Sequence, residues 1–387
     1  MMNGDITLYH LSTKFLPDFC FISKTMKKIC CESPEIGTIL IYRYIFCPKQ
    51  TMIEKPKLET VAREAGVSTA TVSQVLRGKG RISDQTRKKV MAAAAKLHYV
   101  PDGRAASMRS GERREIGLLI HAIANPFNAE VISGVSDLLE SEGYLVSILD
   151  SQDDAVRERR NLEAFIRSSR GGLLWVPAND TPQTTYDLLA AQRIPTVTFL
   201  RPAQNGAFDH VGVRNARATR EATCYLADLG HRYIAFFGGM SHSAVRAERI
   251  EGYMRAMGER GLAPTLVWET ADDKISGLDA MQALRRARPE ITAIVCNGDM
   301  VALGASLALD REGLTPGRHF SIVGFDDILD AAIATPPLTT MAISPYQMGR
   351  KLASALLDRL REPDAPHSTT LFPANLVVRG TTGPPPG

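Results

Sequence analysis

Apolar positions between residues 58 and 76 repeat at helical spacing on both sides of a short turn. Intervals of three and four residues, which place side chains on one face of a helix, relate Leu58, Val61, Ala62 and Ala65, and again Val72, Val75 and Leu76. Gly66-Val67-Ser68 supplies the turn, and Ser68 stands where an N-cap hydroxyl accepts from an otherwise unpaired backbone N–H. The pattern predicts a helix, a tight turn and a second helix.

A third helix is predicted from Asp84 to Leu97, with Ser83 as its N-cap. Its inward positions, which would close a small core with the first two helices, are Val90, Ala94 and Leu97. Tyr99-Val100-Pro101 ends this helix because proline cannot continue it. The next segment, residues 103–111 (GRAASMRSG), is a candidate short helix between glycines.

From Arg114 onward, apolar runs alternate with helical stretches. Strands are predicted at 116–123, 144–150, 171–177 and 195–200, and in a second set at 233–239, 265–270, 292–297 and 320–327. Between them lie helices predicted at 130–142, up to 167, at 186–192, up to 229, up to 260, up to 287, and at 299–311. Fully apolar strands that alternate with helices indicate parallel sheets covered on both faces. We therefore expect two comparable α/β halves.

The outer face of the second helix, at Thr69, Ala70, Ser73 and Gln74, is small or polar enough to enter a major groove. A short helix pair of this kind also occurs as plain packing, so the distribution of charge bears on the choice. Residues 52–112 hold twelve Lys or Arg against six Asp or Glu, whereas residues 113–387 carry a net charge of −4. A basic head on an acidic body is typical of a phosphate-binding module joined to a domain that does not touch DNA.

Two strings in the head, VAREAGVSTATVSQVLRGKGRIS and TRKKVMAAAAKLHYVPDGRAASMRSG, strongly resemble the amino-terminal domain of the lac repressor/galactose repressor family of bacterial transcription regulators. The resemblance implies that base edges are read by Thr69, Ala70 and Gln74. It implies phosphate contacts from Ser68, Thr71 and Ser73, to which we add the basic side chains Lys57, Arg77, Lys79 and Arg81.

The same resemblance implies that Ala105 to Ser110 form a hinge helix that pairs with its dimer mate in the minor groove, where Met108 wedges into a base step. Two positions depart from the family pattern: arginine is frequent where this chain has Gln74, and leucine is usual where it has Met108. Gln pairs with adenine more readily than with guanine, so the operator sequence of a relative does not transfer to this chain.

The body carries LGHRYIAFFGG (229–239), RAERIEGY (246–253), NGDMVALGA (297–305), VGFDD (323–327) and PPLTTM (336–341). These strings resemble the effector-binding domain of the same family, which is similar to periplasmic sugar-binding proteins. With the head, the resemblance covers about residues 55–380. The expected fold is a small all-α helix-turn-helix head followed by a two-lobed, periplasmic-binding-protein-like α/β domain with parallel sheets.

We predict three regions: an extension at 1–51, a DNA-binding domain at 52–112 with its hinge helix at about 103–111, and an effector-binding and dimerisation domain at 113–387. In the last region, lobe one comprises about 113–213 and 343–370, and lobe two comprises about 214–342 and 371–380. The chain is expected to cross between the lobes near residues 213–214, 340–344 and 371.

Ligands of parallel sheets bind beyond the carboxyl ends of the strands, in the crevice between halves. The geometry and the resemblance give five candidates for this site: Asn125, Phe127, Arg249, Asp326 and Tyr346. The alternatives are core packing for Phe127, a surface ion pair for Arg249 and a helix cap for Asp326, although Asp327 fits the cap better. Asp299 is expected to be an N-cap, and His231 to tie a loop.

Other function classes have less support. No Gly-x-Gly-x-x-Gly follows the first strand, and no phosphate-binding P-loop, His-Glu-x-x-His, Gly-x-Ser-x-Gly or Cys-x-x-Cys motif occurs. We expect no enzyme activity, no cofactor and no metal. A sugar-binding transport protein would share the body but should begin with a signal peptide and lack a basic head, and a sugar-active enzyme would need a catalytic pair in the cleft.

The first 51 residues differ from the rest and hold four of the six cysteines: Cys20, Cys30, Cys31 and Cys47. Their spacing suits a zinc cluster poorly, and the apolar run at 38–42 is far too short for a membrane span. We interpret them as a disordered extension or as the product of a misplaced start site. Cys224 and Cys296, on a predicted helix and strand, should stay reduced in the cytoplasm.

Together these patterns predict a cytoplasmic, nucleoid-associated transcription regulator, most simply a repressor. It would bind a roughly palindromic double-stranded operator as a homodimer, because a two-fold dimer matches a two-fold site. A small-molecule effector, expected to be a carbohydrate, would control DNA binding. The tail TTGPPPG has no leucine heptad, so a dimer is expected and not a tail-linked tetramer.

Overall fold

The computed structural model describes residues 55–78, 80–101, 114–168, 171–203, 206–263 and 266–386. The predicted extension at 1–51, Lys79, and the hinge segment with Ala105 and Met108 lie outside these ranges. The chain divides into two compact units, residues 1–103 and 104–387. Each unit is described separately below.

The first unit contains three helices in its described part: α1 (Leu58–Ala65), α2 (Thr69–Leu76) and α3 (Asp84–Lys96). Val61, Val72 and Val90, one from each helix, are completely buried against one another. Gly66 ends α1 at φ 66°, a left-handed conformation that suits glycine. The predicted helix-turn-helix and the third helix are confirmed, as is the N-cap at Ser83, whose hydroxyl accepts from the N–H of Thr86.

The second unit begins with a series of strands and helices that alternate as far as its fourth strand. In chain order these are β1 (Glu115–Ile120), α4 (Pro126–Ser141), β2 (Leu145–Asp150), α5 (Ala155–Arg167), β3 (Gly172–Trp175), α6 (Gln183–Ala191), β4 (Thr196–Phe199) and β5 (Asp209–Val213). The next series comprises α7 (Asn215–Asp228), β6 (Ile234–Phe237), α8 (Ala244–Glu259), β7 (Leu266–Trp268), α9 (Lys274–Ala287), β8 (Ala293–Cys296), α10 (Asp299–Arg311), β9 (Ser321–Asp326), α11 (Leu329–Ile333) and β10 (Thr339–Ala342). The chain then adds α12 (Pro345–Arg361), β11 (Thr369–Phe372) and β12 (Asn375–Val377).

The strands form two six-stranded sheets, one in each lobe. The first has the order β11-β5-β4-β3-β1-β2, with every neighbouring pair parallel. The second has the order β12-β10-β9-β8-β6-β7, parallel except for the antiparallel pair β10–β12. The central strands β3, β4, β6 and β8 are buried throughout, as a sheet covered on both faces requires. The predicted two-lobed parallel α/β fold is confirmed.

The chain passes between the two sheets three times: after β5, between β10 and α12, and between β11 and β12. The third crossing follows Phe372, because β11 pairs with β5 through that residue. It therefore lies slightly beyond Leu371, where the sequence placed it. Helix α12 returns to the first lobe and packs against α4, where Gly349 and Gly134 permit a close approach.

Several elements of the second unit differ from the pattern-based expectation: strands β5, β10, β11 and β12 and helices α11 and α12 were not predicted, and α4 begins earlier than predicted. Helix α4 begins at Pro126 instead of residue 130, because Asn125 caps it and proline is favoured in the first turn. Strand β5 was not predicted, since its sequence DHVGV contains two polar residues. Asp209 and His210 are nevertheless buried there, where Arg359 and Thr198 respectively supply hydrogen-bond partners.

Candidate functional site

The outward face of α2 in the first unit presents the side chains predicted to meet DNA. Thr69, Ala70 and Gln74 are exposed, while Thr71 and Ser73 are half-buried. The hydroxyl of Ser68 accepts from the N–H of Thr71 at 3.1 Å, which satisfies one unpaired donor of the first turn. The structure thus holds a short, capped helix with a small polar outer surface.

Three of the basic side chains predicted to contact phosphates are exposed. Arg77 lies directly after α2, and its Nε donates to the carbonyl oxygen of Ser73 at 3.0 Å. Arg77 itself is exposed. Lys57 and Arg81 are also exposed, which is the arrangement that phosphate contacts need.

A polar cavity in the second unit lies between the two lobes, at the carboxyl ends of their parallel strands. It has a volume of about 100 Å³, small compared with the several hundred Å³ of a drug-sized pocket. The first lobe contributes His121, Asn125, Phe127, Leu200, Arg201 and Val213. The second lobe contributes Asn215, Ser243, Val245, Arg249, Asp272, Asn297, Gly298, Met300 and Asp326.

Four of the five predicted ligand residues meet at this cavity: Asn125, Phe127, Arg249 and Asp326. Asn125 has a second task, because its Oδ1 accepts from the N–H of Phe127 at 3.0 Å and caps α4. Phe127 is only 4% exposed and also belongs to the core of the lobe, so the two interpretations of this ring are compatible.

Arg249 is the central cation of the cavity. Its Nε donates to Asn215 Oδ1 at 3.0 Å, and one terminal nitrogen donates to the carbonyl oxygen of Asn297. The other terminal nitrogen is 4.0 Å from Asp326 Oδ1, and the guanidinium stacks on Phe325. Burial lowers the pKa of this group, and the carboxylate of Asp326 opposes that shift. A surface ion pair is therefore the wrong description of Arg249, which is 6% exposed.

Asp326 ends β9 with φ at 117°, a conformation that costs a non-glycine residue free energy and is often found at functional sites. Burial raises the pKa of its carboxyl well above the usual range, and the charge of Arg249 opposes this shift. Asp272 lines the same cavity, accepts from Asn297 Nδ2 at 2.5 Å, and also has a pKa raised by burial. Two carboxyl groups are thus held where their charged forms are costly.

Tyr346 does not line the cavity, so this candidate was wrong. It lies in the first turn of α12, and its hydroxyl donates to Asp137 Oδ2 on α4 at 2.9 Å, in an exposed position. The polypeptide at Tyr346 also packs closely against Gly134 of α4. Tyr346 is therefore a packing residue between two helices of the first lobe.

Two predicted helix caps were also wrong, although both residues are structural. Asp299 is the first residue of α10 rather than its N-cap, and its carboxylate accepts from the N–H of Ile328 at 3.0 Å and the hydroxyl of Thr340 at 2.6 Å. Burial raises the pKa of Asp299 to about 7. Asp327 forms an ion pair with Arg379 at 2.6 Å, and Ile328 is the N-cap of α11.

His231 ties segments together, as predicted. Its ring nitrogens lie 2.8 Å from Thr292 Oγ1, 3.0 Å from Ser321 Oγ and 3.0 Å from the carbonyl oxygen of Gly383. The two tryptophans are structural as well: Trp175 is fully buried and Trp268 packs against the core of its lobe.

Sequence reasoning missed six polar residues of the cavity: His121, Arg201, Asn215, Ser243, Asp272 and Asn297. A usable signal existed for two of them, because His121 directly follows β1 and Asn297 directly follows β8. The carboxyl ends of parallel strands meet at one edge of a sheet. Arg201 carries a related signal, because it comes two residues after Phe199, the last residue of β4. Its guanidinium forms a bidentate pair with Asp153, which comes from the loop after β2.

The sequence pattern described as "Bacterial regulatory proteins, lacI family" matches residues 57–102, and the pattern described as "Periplasmic binding protein-like domain" matches residues 223–382. The ribose operon repressor of Haemophilus influenzae is 32% identical to this chain over 324 residues, which cover 83% of this chain and 97% of the repressor. The chain belongs to the lacI family of bacterial regulatory proteins. This lacI-family protein is accordingly a ligand-responsive, DNA-binding transcription regulator, as the sequence predicted.

Other relatives span the same length. The maltose regulon regulatory protein MalI of Escherichia coli K12 is 29% identical over 84% of this lacI-family chain and 98% of its own. Among solved structures, the lac repressor dimer bound to operator and the anti-inducer ONPF is 26% identical, with a TM-score of 0.75 over 85% of this chain and 100% of its own. A lacI-family regulator from Enterococcus faecalis V583 with bound ribose is 26% identical, with a TM-score of 0.64 over 70% of this chain and 99% of its own.

The described helices of this lacI-family protein include none that is both long enough and apolar enough to cross a membrane.

Proposed function

We propose that this lacI-family protein is a repressor that binds a two-fold operator as a homodimer, and that a sugar or sugar derivative in the interlobe cavity controls its DNA binding. The observation that carries the proposal is the cavity itself. Asn125 comes from one lobe and Arg249 and Asp326 from the other, so a ligand bound there contacts both lobes. The same chain carries the helix-turn-helix.

The chemistry of the lining favours a hydroxyl-rich ligand. Carboxylates accept hydrogen bonds, amides both donate and accept, and a guanidinium fork spans adjacent hydroxyls. Phe127 adds an apolar ring of the kind that stacks on the face of a sugar. Relatives are named as ribose and maltose regulators, and ribose is bound in one neighbouring structure, which supports the same ligand class here.

Control of DNA binding follows from closure of the two lobes around a ligand. Closure changes the position of one lobe relative to the other about the three crossing segments. In a dimer, that movement alters how the two hinge segments at about 103–111 pair on DNA. A coupling of about 1–3 kcal/mol changes operator affinity roughly 5- to 150-fold, and the cavity needs to bind its ligand without transforming it.

An apolar patch of the second lobe supports the homodimer. Three large aliphatic side chains are between two thirds and four fifths exposed: Ile275, Leu329 and Ile333, at 76%, 69% and 70%. An ion pair between Lys274 and Asp330 joins the helices that carry them, α9 and α11. Clustered exposed aliphatic side chains mark interaction surfaces, and an isologous contact would bury both copies of the patch.

The dimer is tested by light scattering of the full-length protein. Wild type is expected at twice the mass of the chain, whereas Leu329→Arg with Ile333→Arg is expected at the mass of one chain because charged side chains would have to be buried. Met254→Arg on α8, at a separate site that is 43% exposed, is the matched control and should stay dimeric. A dimer that survives the double substitution would place the interface elsewhere.

The function is tested by selecting genomic fragments with the full-length protein and footprinting the enriched sites. We expect a protected, roughly palindromic site whose affinity changes at least 5-fold when a sugar that raises the melting temperature is added. A protein that shows no preference for any duplex over random competitor DNA would disprove the proposal.

A further inference from the structure

Asp299 is a fully buried residue that does not line the interlobe cavity, yet its carboxyl group joins three elements of the second lobe. The residue begins α10, and its carboxyl accepts from the N–H of Ile328 at 3.0 Å and from the hydroxyl of Thr340 on β10 at 2.6 Å. Strand β9 passes so closely that a Cβ at Gly324 would lie 2.1 Å from Asp299 Oδ1. The carboxyl group is therefore enclosed by protein and separated from solvent.

The contact with Ile328 places Asp299 at the start of α11, the helix that carries Leu329 and Ile333 of the apolar patch. A helix of five residues is not stable by itself in water, so its position depends on tertiary contacts. These include the hydrogen bond from Ile328 to Asp299 and the ion pair of Asp330 with Lys274. Asp299 therefore fixes the end of α11 at which the patch begins.

The titratable groups that interact with Asp299 come from three neighbouring elements: Asp326 and Asp327 at the end of β9, Cys296 on β8 and Arg249 on α8. Arg249 interacts more strongly with Asp326 and Asp272 than with Asp299, and Arg379 pairs with Asp327. Burial raises the pKa of the Cys296 thiol well above its usual range, so this group stays neutral. Among the described residues, Asp299 thus has no ion pair of its own.

Burial without a paired cation disfavours the ionised form of Asp299. Burial raises the pKa of this carboxyl to about 7, the hydrogen bonds from Thr340 and Ile328 oppose the shift, and the charge of Asp327 adds to it. The cost of a buried charge is relieved when a covering segment moves away and admits water. Helix α11 is the short segment bound directly to this carboxyl. When α11 opens, Asp299 regains the ordinary pKa of a solvated aspartate, about 3.9.

We propose, building on the proposed homodimer, that Asp299 is a proton-binding site that controls self-association. The protonated carboxyl holds α11 in the position in which the apolar patch meets a second copy of this chain. Loss of the proton loosens α11 and weakens the association of the two copies.

The direction of the pH effect follows from the difference in pKa between the closed and open states of α11. Between about pH 4 and pH 7 the closed state keeps the proton and the open state releases it, so opening becomes about 10-fold more favourable for each pH unit. Above pH 7 the carboxyl is ionised in both states, and the effect levels off. A second copy that covers α11 excludes the water that the open state needs. Proton binding and self-association therefore favour each other.

The first test is amide hydrogen exchange of the full-length protein between pH 5 and pH 8, read at residues 328–334 and corrected for the intrinsic exchange rate. In wild type, the opening equilibrium should be about 50- to 100-fold more favourable at pH 8 than at pH 5. Asp299→Asn keeps the shape and the acceptor oxygen but does not titrate, so its opening should be independent of pH. Asp310→Asn, which changes an exposed carboxyl near the other end of α10, is the matched control and should follow wild type.

A second variant and a second measurement extend the test. Thr340→Val removes a hydrogen bond that favours the ionised carboxyl, so the pH at which opening levels off should rise. Sedimentation equilibrium gives the dissociation constant of the dimer over the same pH range. Wild type should associate about 5-fold or more tightly at pH 5.5 than at pH 8, whereas Asp299→Asn should keep at pH 8 the affinity that wild type has in acid.

Three results would overturn the inference: opening of residues 328–334 that does not vary with pH in wild type, an equal variation in Asp299→Asn, or a dimer affinity that is the same at both pH values. The proposed interface is judged separately, by Leu329→Arg with Ile333→Arg. A dimer that survives this double substitution contradicts the interface, whereas hydrogen exchange still decides whether Asp299 controls α11.

Discussion

The guanidinium carbon of Arg249 lies 3.6 Å from the centroid of the Phe325 ring. Phe325 is fully buried in β9, one residue before Asp326. The ring therefore supports the face of the guanidinium group. The nitrogens at the edge of that group donate hydrogen bonds to Asn215 Oδ1 and to the carbonyl oxygen of Asn297. Two elements of the second lobe, α8 and β9, are joined through this stacked cation at the wall of the cavity.

Arg249→Met is expected to destabilise the protein as well as abolish effector binding. Removal of the cation leaves the carboxyl groups of Asp326 and Asp272 buried without it, and such a loss costs about 3–5 kcal/mol. The melting temperature should fall by about 5–10 °C. Phe325→Leu, which removes the stacking but keeps the ion pair, should cost about 2 kcal/mol from that interaction. Differential scanning calorimetry measures both, and equal melting temperatures for Arg249→Met and wild type would contradict this role.

Gly252→Ala is expected to disturb the packing of α8 on α7. A Cβ at this position would approach the carbonyl oxygen of Ala216 to 2.1 Å, so the helices must separate at a cost of about 1–3 kcal/mol. Gly258→Ala on the same helix is the control. Its Cβ would meet nothing within 4 Å, and alanine should add about 0.5–1 kcal/mol of stability there. Thermal unfolding of the pair should give shifts of opposite sign, and similar shifts would refute the close approach.

Substitutions at Gln74 and Arg77 should separate base recognition from phosphate contact. Gln74→Ala is expected to weaken binding to the selected operator by about 1–3 kcal/mol and to relax specificity at one base pair. Arg77→Ala should weaken binding to all duplexes and lower the slope of log affinity against log salt by about 1. Fluorescence anisotropy over a salt series distinguishes them. Identical effects of the two variants on cognate and random DNA would contradict the assignment.

His210 should make the protein less stable in mild acid. Burial lowers its pKa to about 4, although the hydrogen bond with Thr198 opposes the shift. The folded state therefore stays neutral while the unfolded chain takes up a proton below its usual pKa of about 6.5. The contribution of His210 to the free energy of unfolding is therefore fully present above about pH 6.5 and declines by about 3 kcal/mol as the pH falls to 4.

The acid effect is measured by urea unfolding between pH 7 and pH 4, with His210→Gln for comparison. The variant lacks a titrating group at this position, so its stability should fall less steeply over that interval. His121 has a pKa shifted in the same direction and is retained in both proteins. Parallel stability curves for the variant and wild type would exclude His210 as the source.

Hydrophobic patterning was sufficient to predict the three helices of the head and both sets of central strands. These elements are short amphipathic helices or uninterrupted apolar runs, such as Ile234–Phe237 and Ala293–Cys296. It did not predict β5, whose polar residues are buried with partners from elsewhere in the chain: Arg359 pairs with Asp209 at 2.8 Å, and Thr198 hydrogen bonds to His210. Strands β11 and β12 are also short and incompletely buried, so they lack a periodic signal.

The cavity was predictable where a residue type and its position agreed. Arg249 and Asp326 combine both, and the structure brings them together. Tyr346 illustrates the limit, because a tyrosine near a predicted crossing has no local feature that shows which way its ring points. The inward positions of Asn215 and Asp272 depend on partners from other segments, and spacing along one chain does not encode them.

The three crossings between the sheets mean that neither lobe is encoded by one continuous stretch of its gene. Strand β11 completes the first sheet and β12 completes the second, although both come from the last part of the reading frame. A premature stop codon ahead of residue 369 therefore removes an edge strand from both lobes in a single event. Exchange of one whole lobe between homologous genes likewise requires several junctions. A gene fusion with a single junction would therefore exchange parts of both lobes.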